Sequence, residues 1–229
     1  MLLGTSKNLQ KGRNSLELFY RNTPICVAKM YKYLGIRIDP TLHLGHQFDK
    51  MYKQVSSKLK LLNKLKQYLN DEATKRVYQS LIQPIIKYNC LTNLNLTDTQ
   101  TKKFQSIDRR AMSIVGNNFT VNNIDIIYKH AVMTVKKCID GNICENYNGY
   151  FEKNIHERVT RNNSYFLKIP KVRLEFAKHC FYFQGFKLFN SLPIRIRQIE
   201  AFNEFKKELK SYIFFLNRTK WISLAVYVS

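Results

Sequence analysis

The chain has 229 residues, with 38 Lys and Arg against 16 Asp and Glu, a formal charge of +22. At 45% hydrophobic it can bury a sizeable core, as one large domain or two small ones, and the charge favours polyanionic partners. The short apolar run of "MLLGTSKNLQKGR" excludes a signal peptide, and Asn217, Arg218, Thr219 and Lys220 interrupt the apolar tail, so neither a secreted nor a membrane-spanning protein is expected.

Residues 1–40 read as extended, with "MLLGTSK" and "PICVAKMYKYLGIRID" rich in β-branched and aromatic residues and separated by turn formers. From residue 44 to 69 the period changes. Phe48, Tyr52, Val55, Leu59, Leu62 and Leu69 form one apolar stripe of an amphipathic helix, and Lys50, Lys53, Lys58, Lys60, Lys64 and Lys66 occupy much of the remainder. Asn70 or Asp71 caps a second helix, which Pro84 should kink or divide near Ile82. Thr97 and Gln100 have capping-box spacing for a third, which carries Phe104, Ile107, Ala111, Ile114 and Val115 and stops at Gly116.

"IDIIYKHAVMTVKKCID" is a fourth helix, ended by Gly141. Residues 142–175 are polar and irregular, with one short helix and an extended "FLKIP". "FAKHCFYFQGFKLFNSLP" and "EAFNEFKKELKSYIFF" are the last two helices, separated by a turn at Pro193. The fold class is therefore mainly α (α+β): a helical bundle behind a small N-terminal β-hairpin.

The sequence carries no recognisable active site. No serine sits in a glycine elbow, no Gly-rich phosphate loop is present, and there is no Asp-Asp pair for two-metal chemistry. His43 and His46 lack further ligands at metal spacing, and His179-Cys180 reads as part of an apolar helix. Five scattered cysteines (Cys26, Cys90, Cys138, Cys144, Cys180) without CxxC spacing point to reduced thiols in an intracellular protein, nuclear or cytoplasmic. No cofactor, metal or small-molecule substrate is expected. Nucleic acid is favoured over a membrane surface, because the charge is spread along the chain and not gathered beside an apolar anchor.

Six segments in order, "YKYLGIRID", "KLKLLNKLKQYL", "VYQSLIQPIIKYNC", "FQSIDRRAMSIVG", "LFNSLP" and "FKKELKSYI", resemble the part that follows the polymerase core in reverse transcriptases of non-LTR retrotransposons, the long interspersed elements. The resemblance implies a palm-end hairpin (primer grip) over residues 1–43, a thumb-like helical region over 44–116, a downstream helical region over 117–214 and an unassigned tail over 215–229. It implies that Tyr33, Leu34 and Gly35 close the primer-grip hairpin and that the helices after it pack against template–primer backbone. Lys53, Lys60, Lys64, Arg109 and Arg110 are the expected phosphate contacts. The family's catalytic carboxylates would lie upstream of Met1, so the chain is expected to bind template–primer and not to extend it. Leu44, Gln47, Asn93 and Phe189 stand where the family pattern has Trp, His, Trp and Trp. Two alternatives stay open: a small basic RNA- or DNA-binding protein that stacks bases on its aromatics, and the non-functional product of a decayed mobile element.

Overall fold

The computed structural model describes residues 4, 6–15, 17–42, 44–88, 90–94, 96–116, 119–142, 166–173, 175–178 and 180–215. The chain is mostly helical with a small antiparallel β part, and it divides into two compact units, Met1–Ile85 and Ile86–Ser229.

Unit 1 begins with helix α1 (Ser6–Ser15), where the sequence predicts extended chain. Leu9 is its one buried apolar residue among those with a described side chain, so here tertiary context overrides the local β-rich composition. Two short antiparallel ladders follow. Strand β1 (Phe19–Tyr20) pairs with β2 (Thr23–Pro24), and β3 (Tyr31–Tyr33) pairs with β4 (Ile36–Ile38). Both turns are two residues long with left-handed backbone, at Arg21 and Asn22 and at Leu34 and Gly35, the geometry whose twist matches paired strands. An Asp39–Leu42 turn, closed by the Leu42 amide on the Asp39 carbonyl, then leads to helix α2 (Gly45–Leu65).

The buried stripe of α2 is Gln47, Phe48, Met51, Val55, Leu59 and Leu62. Tyr52 and Leu69, expected in that stripe, are half-buried. The stripe packs on a helical strand of chain that begins after a 3-10 turn (Lys66–Tyr68) with α3 (Asp71–Val77). Asn70 caps α3 by accepting from the Ala73 amide at 2.8 Å. A π turn (Tyr78–Ile82) then separates α3 from α4 (Gln83–Tyr88). Its cause is Pro84, which has no N–H to donate back one turn; the chain widens, and the Gln83 amide reaches the Tyr78 carbonyl. The predicted division at Ile82 falls where the π turn ends.

Unit 2 takes in the end of α4 from Ile86, with Lys87, and contains α5 (Asp98–Val115), α6 (Asn123–Ile139), α7 (Glu175–Lys178), α8 (Phe181–Asn190), α9 (Ile194–Arg197) and α10 (Phe202–Phe215). Thr97 and Gln100 make the expected capping box on α5, and Gly116, with φ of 118°, terminates it. Helix α6 is the centre of this unit, with α5, α8, α10 and a 3-10 turn (Cys90–Asn93) packed on it. Gly185 permits the close approach of α8. A Cβ there would lie 2.9 Å from a Val135 methyl of α6.

The helix expected over "FAKHCFYFQGFKLFNSLP" is divided between α7 and α8 and ends at Asn190, with Cys180 in extended conformation as the α8 N-cap. A one-turn helix, α9, follows Pro193. The expected extended segment "FLKIP" is held by Asn190, whose side-chain amide donates to the Leu167 carbonyl and accepts from the Leu167 amide, at 2.9 and 2.8 Å. The short helix expected before it falls mainly on residues 143–165, and the tail on 216–229; both lie outside the described residues.

Candidate nucleic-acid interface

The Tyr33-Leu34-Gly35 step is the tip of the β3–β4 hairpin, and α2 fixes its position. Lys50 Nζ reaches the Gly35 carbonyl at 3.4 Å, and the Arg37 amide donates to Oε1 of the buried Gln47 at 3.0 Å. Gly35 is needed for its backbone conformation, φ of 84° in a two-residue turn. Gln47, where the resemblance departs from a His, is a structural clamp here.

Beyond Lys50 the helix presents Lys53, Lys60 and Lys64, all exposed. Steps of seven and four residues return to one face, and at 1.5 Å per residue the three ammonium groups are spaced by about 10 and about 6 Å along the axis. Lys58 is exposed as well. The surface is a ridge of positive charge that begins at a pinned hairpin tip.

Arg109 and Arg110 belong to unit 2, on α5, so they share no element with the α2 lysines. Arg109 is exposed and Arg110 half-buried. The residue before them, Asp108, is buried and accepts from the Asn123 backbone amide and side chain.

His46 is exposed, and His43 and His179 lie outside the described residues. Cys180 donates its thiol hydrogen to the Ala177 carbonyl. Among the described residues no three His, Cys, Asp or Glu gather as a metal site, and no helix is long and apolar enough to cross a membrane.

One cluster was not singled out from the sequence. Lys129 and His130 are half-buried on α6, and positive charge converges on them from other helices. Burial first, then the charges of Lys210, Lys206 and Lys87, hold the Lys129 ammonium below its ordinary range. Burial first, then Lys87, Lys129, Lys137 and Lys206, do the same to the His130 imidazole. These residues come from α4, α6 and α10. The only local hint is "KH" followed by Lys137 one heptad after His130.

A cavity of about 330 Å³ in the same unit is lined by Lys136, Asp140, Leu167, Phe189, Arg197 and Glu200, among others. Its cationic side chains are engaged by neighbours within the unit. Lys136 pairs with Asp140 at 2.9 Å, and the Arg197 guanidinium lies 4.0 Å above the Phe166 ring and donates to the Leu192 carbonyl. Such an arrangement is a structural one.

Comparison of the chain with protein-family models, with curated proteins and with solved structures returns no match.

Proposed function

We propose that this chain is a segment of a non-LTR retrotransposon reverse transcriptase, an RNA-directed DNA polymerase, that grips template–primer phosphates without reading bases and performs no synthesis by itself. The observation that supports this most is the hairpin tip pinned by Lys50, continuous with the exposed ridge of Lys53, Lys60 and Lys64 on one helix. A hairpin presented at the start of a lysine-faced helix suits a duplex of A-form character, where contacts go to phosphates and 2′-hydroxyls. On this reading the protein acts inside the cell.

The test is binding to a fluorescent RNA–DNA hybrid across a salt series. The parent should lose affinity steeply with salt, and the Lys53→Gln/Lys60→Gln/Lys64→Gln variant should flatten the log K against log salt slope by about two to three. Unchanged affinity of that variant at every salt overturns the role of α2. Primer extension with dNTPs and Mg²⁺ should stay at background. Extension well above background overturns the view that this segment is inert alone.

A second reading has its own observation. Phe19, Tyr20, Tyr31 and Tyr33 are exposed on the two hairpins, which suits base stacking by a small single-strand-binding protein. It predicts that Tyr31→Ala/Tyr33→Ala weakens binding to single strands more than to the hybrid.

A further inference from the structure

Helix α10 packs on α6, and the charges of Lys87 of α4, Lys137 of α6, and Lys206 and Lys210 of α10 reach Lys129 or His130 of α6; among the described residues none of the six forms an ion pair. Packing fixes the arrangement. Helix α10 buries Phe205 and Leu209 completely, and Lys137 Nζ lies 5.3 Å from the centre of the Phe202 ring, which ties α10 to α6 at this face. Lys206 and Lys210 stand one turn apart on α10, a like-charge spacing that destabilises a helix. Five ammonium groups crowded with no ion pair among the described residues oppose folding, and a bound polyanion removes that opposition.

We propose that the face where α4, α6 and α10 converge is a second phosphate-binding surface, which takes successive phosphates of a nucleic-acid backbone. It goes beyond the α2 ridge, which belongs to the other unit; only the choice of nucleic acid as the polyanion leans on the function proposed above. The relief of the face favours a phosphate backbone over a lipid surface. Lys87, Lys129 and His130 are half-buried while Lys137, Lys206 and Lys210 are exposed, so the charges lie at different depths, which suits a phosphate backbone better than a flat bilayer. Among the described residues of unit 2, Tyr88 and Ile169 are the large apolar side chains left exposed, too few for membrane anchoring.

Binding at this face is linked to a proton. The charged groups acting on His130 are Lys87 from α4, Lys129 and Lys137 from its own helix, and Lys206 from α10. Of the other elements on α6, the 3-10 turn brings the Cys90 thiol, which burial pushes up and keeps neutral, α8 brings Lys187, held over Phe183, and α5 brings Asp108, engaged with Asn123 at the start of α6. An arriving phosphate neutralises the surrounding ammonium groups and pulls a proton onto the imidazole, so affinity rises as pH falls.

The experiment uses the full chain and a labelled oligonucleotide of about 20 nucleotides. The Lys129→Gln/Lys206→Gln/Lys210→Gln variant should flatten the salt slope by about two, as expected for three phosphate contacts on a single strand. Its melting temperature should equal or exceed that of the parent, since repulsion is relieved. Parent affinity should rise several-fold from pH 7.5 to 5.5, and His130→Gln should abolish that rise. An unchanged salt slope in this variant, while the α2 triple variant loses binding, overturns the second surface and leaves the proposed function standing. Loss of binding to phosphatidylserine vesicles with oligonucleotide binding intact also overturns it, in favour of a lipid surface.

Discussion

Asp108 of α5 accepts hydrogen bonds from both the backbone amide and the side-chain amide of Asn123 at the start of α6. Both residues are buried, so the pair replaces water that neither group can reach. A carboxylate at the beginning of α6 also meets the positive end of that helix. Removing it deletes two buried hydrogen bonds to a charged acceptor, each worth about 1.5–3 kcal/mol. Asp108→Ala should therefore destabilise the protein by about 3 kcal/mol in urea unfolding, although the residue precedes two exposed or half-exposed arginines and looks superficial in sequence. A loss under about 0.5 kcal/mol, the range of ordinary surface changes, contradicts the assignment.

Gly185 should resist replacement by a better helix former. In a free helix interior, Ala is favoured over Gly by about 1 kcal/mol. Here a Cβ meets the Val135 methyl at 2.9 Å, and Val135 is itself fully buried. Gly185→Ala should lower the melting temperature, and the double change Gly185→Ala/Val135→Ala should recover part of the loss. Stabilisation by the single change would mean that α6 and α8 cross less closely.

Leu34 holds a left-handed φ of 45° at the first position of a two-residue hairpin turn. For a residue with a Cβ this conformation costs about 1–2 kcal/mol, and the side chain is 71% exposed, so little burial offsets the cost. Asn is favoured at this position before Gly. Leu34→Asn should raise stability by about 0.5–1 kcal/mol. If it also weakens hybrid binding, the leucine at the tip is kept for contact with the ligand; unaltered binding leaves the contact to the α2 lysines.

His130 makes the free protein acid-sensitive in a definite window. Its folded pKa lies below the ordinary value of 6.5, by burial and then by the neighbouring ammonium groups. The unfolded chain therefore takes up the proton first. The stability present above about pH 6.5 declines as pH falls through that value and levels off below the folded pKa. Urea midpoints at pH 7.5, 6.5 and 5.5 should fall for the parent and fall less for His130→Gln. Parallel curves would remove His130 as the group responsible.

The features legible in sequence are those decided within one turn of helix. Asn70, the Thr97–Gln100 box, Gly116 and Pro84 each act on backbone groups three or four residues away, so their effects survive any tertiary context. The α2 stripe was legible because twenty residues of period outweigh local noise. Other features needed distant partners. Gln47 looks like a polar residue misplaced in an apolar stripe until the Arg37 amide is beside it. Gly185 looks like a weak point until Val135 is opposite. The charge cluster around His130 draws on three helices, and no linear pattern marks it, while the α2 ridge lies on a single helix and shows at once.

The β1–β4 segment leaves Leu18, Phe19, Tyr20, Ile25, Val27, Met30, Tyr31, Tyr33 and Leu34 exposed, on ladders only two strands wide. Such ladders keep open edges that can pair with a second copy. The +22 charge opposes that encounter over a range set by the buffer, about 30 Å at 0.01 M salt and about 10 Å at 0.1 M. Colloidal behaviour is thus the reverse of that of a protein near charge balance. The isolated chain should stay dispersed in dilute buffer and begin to self-associate as salt is added, until a polyanion or a larger protein surface covers the hairpins. Light scattering in parallel with each salt titration separates this clustering from release of ligand.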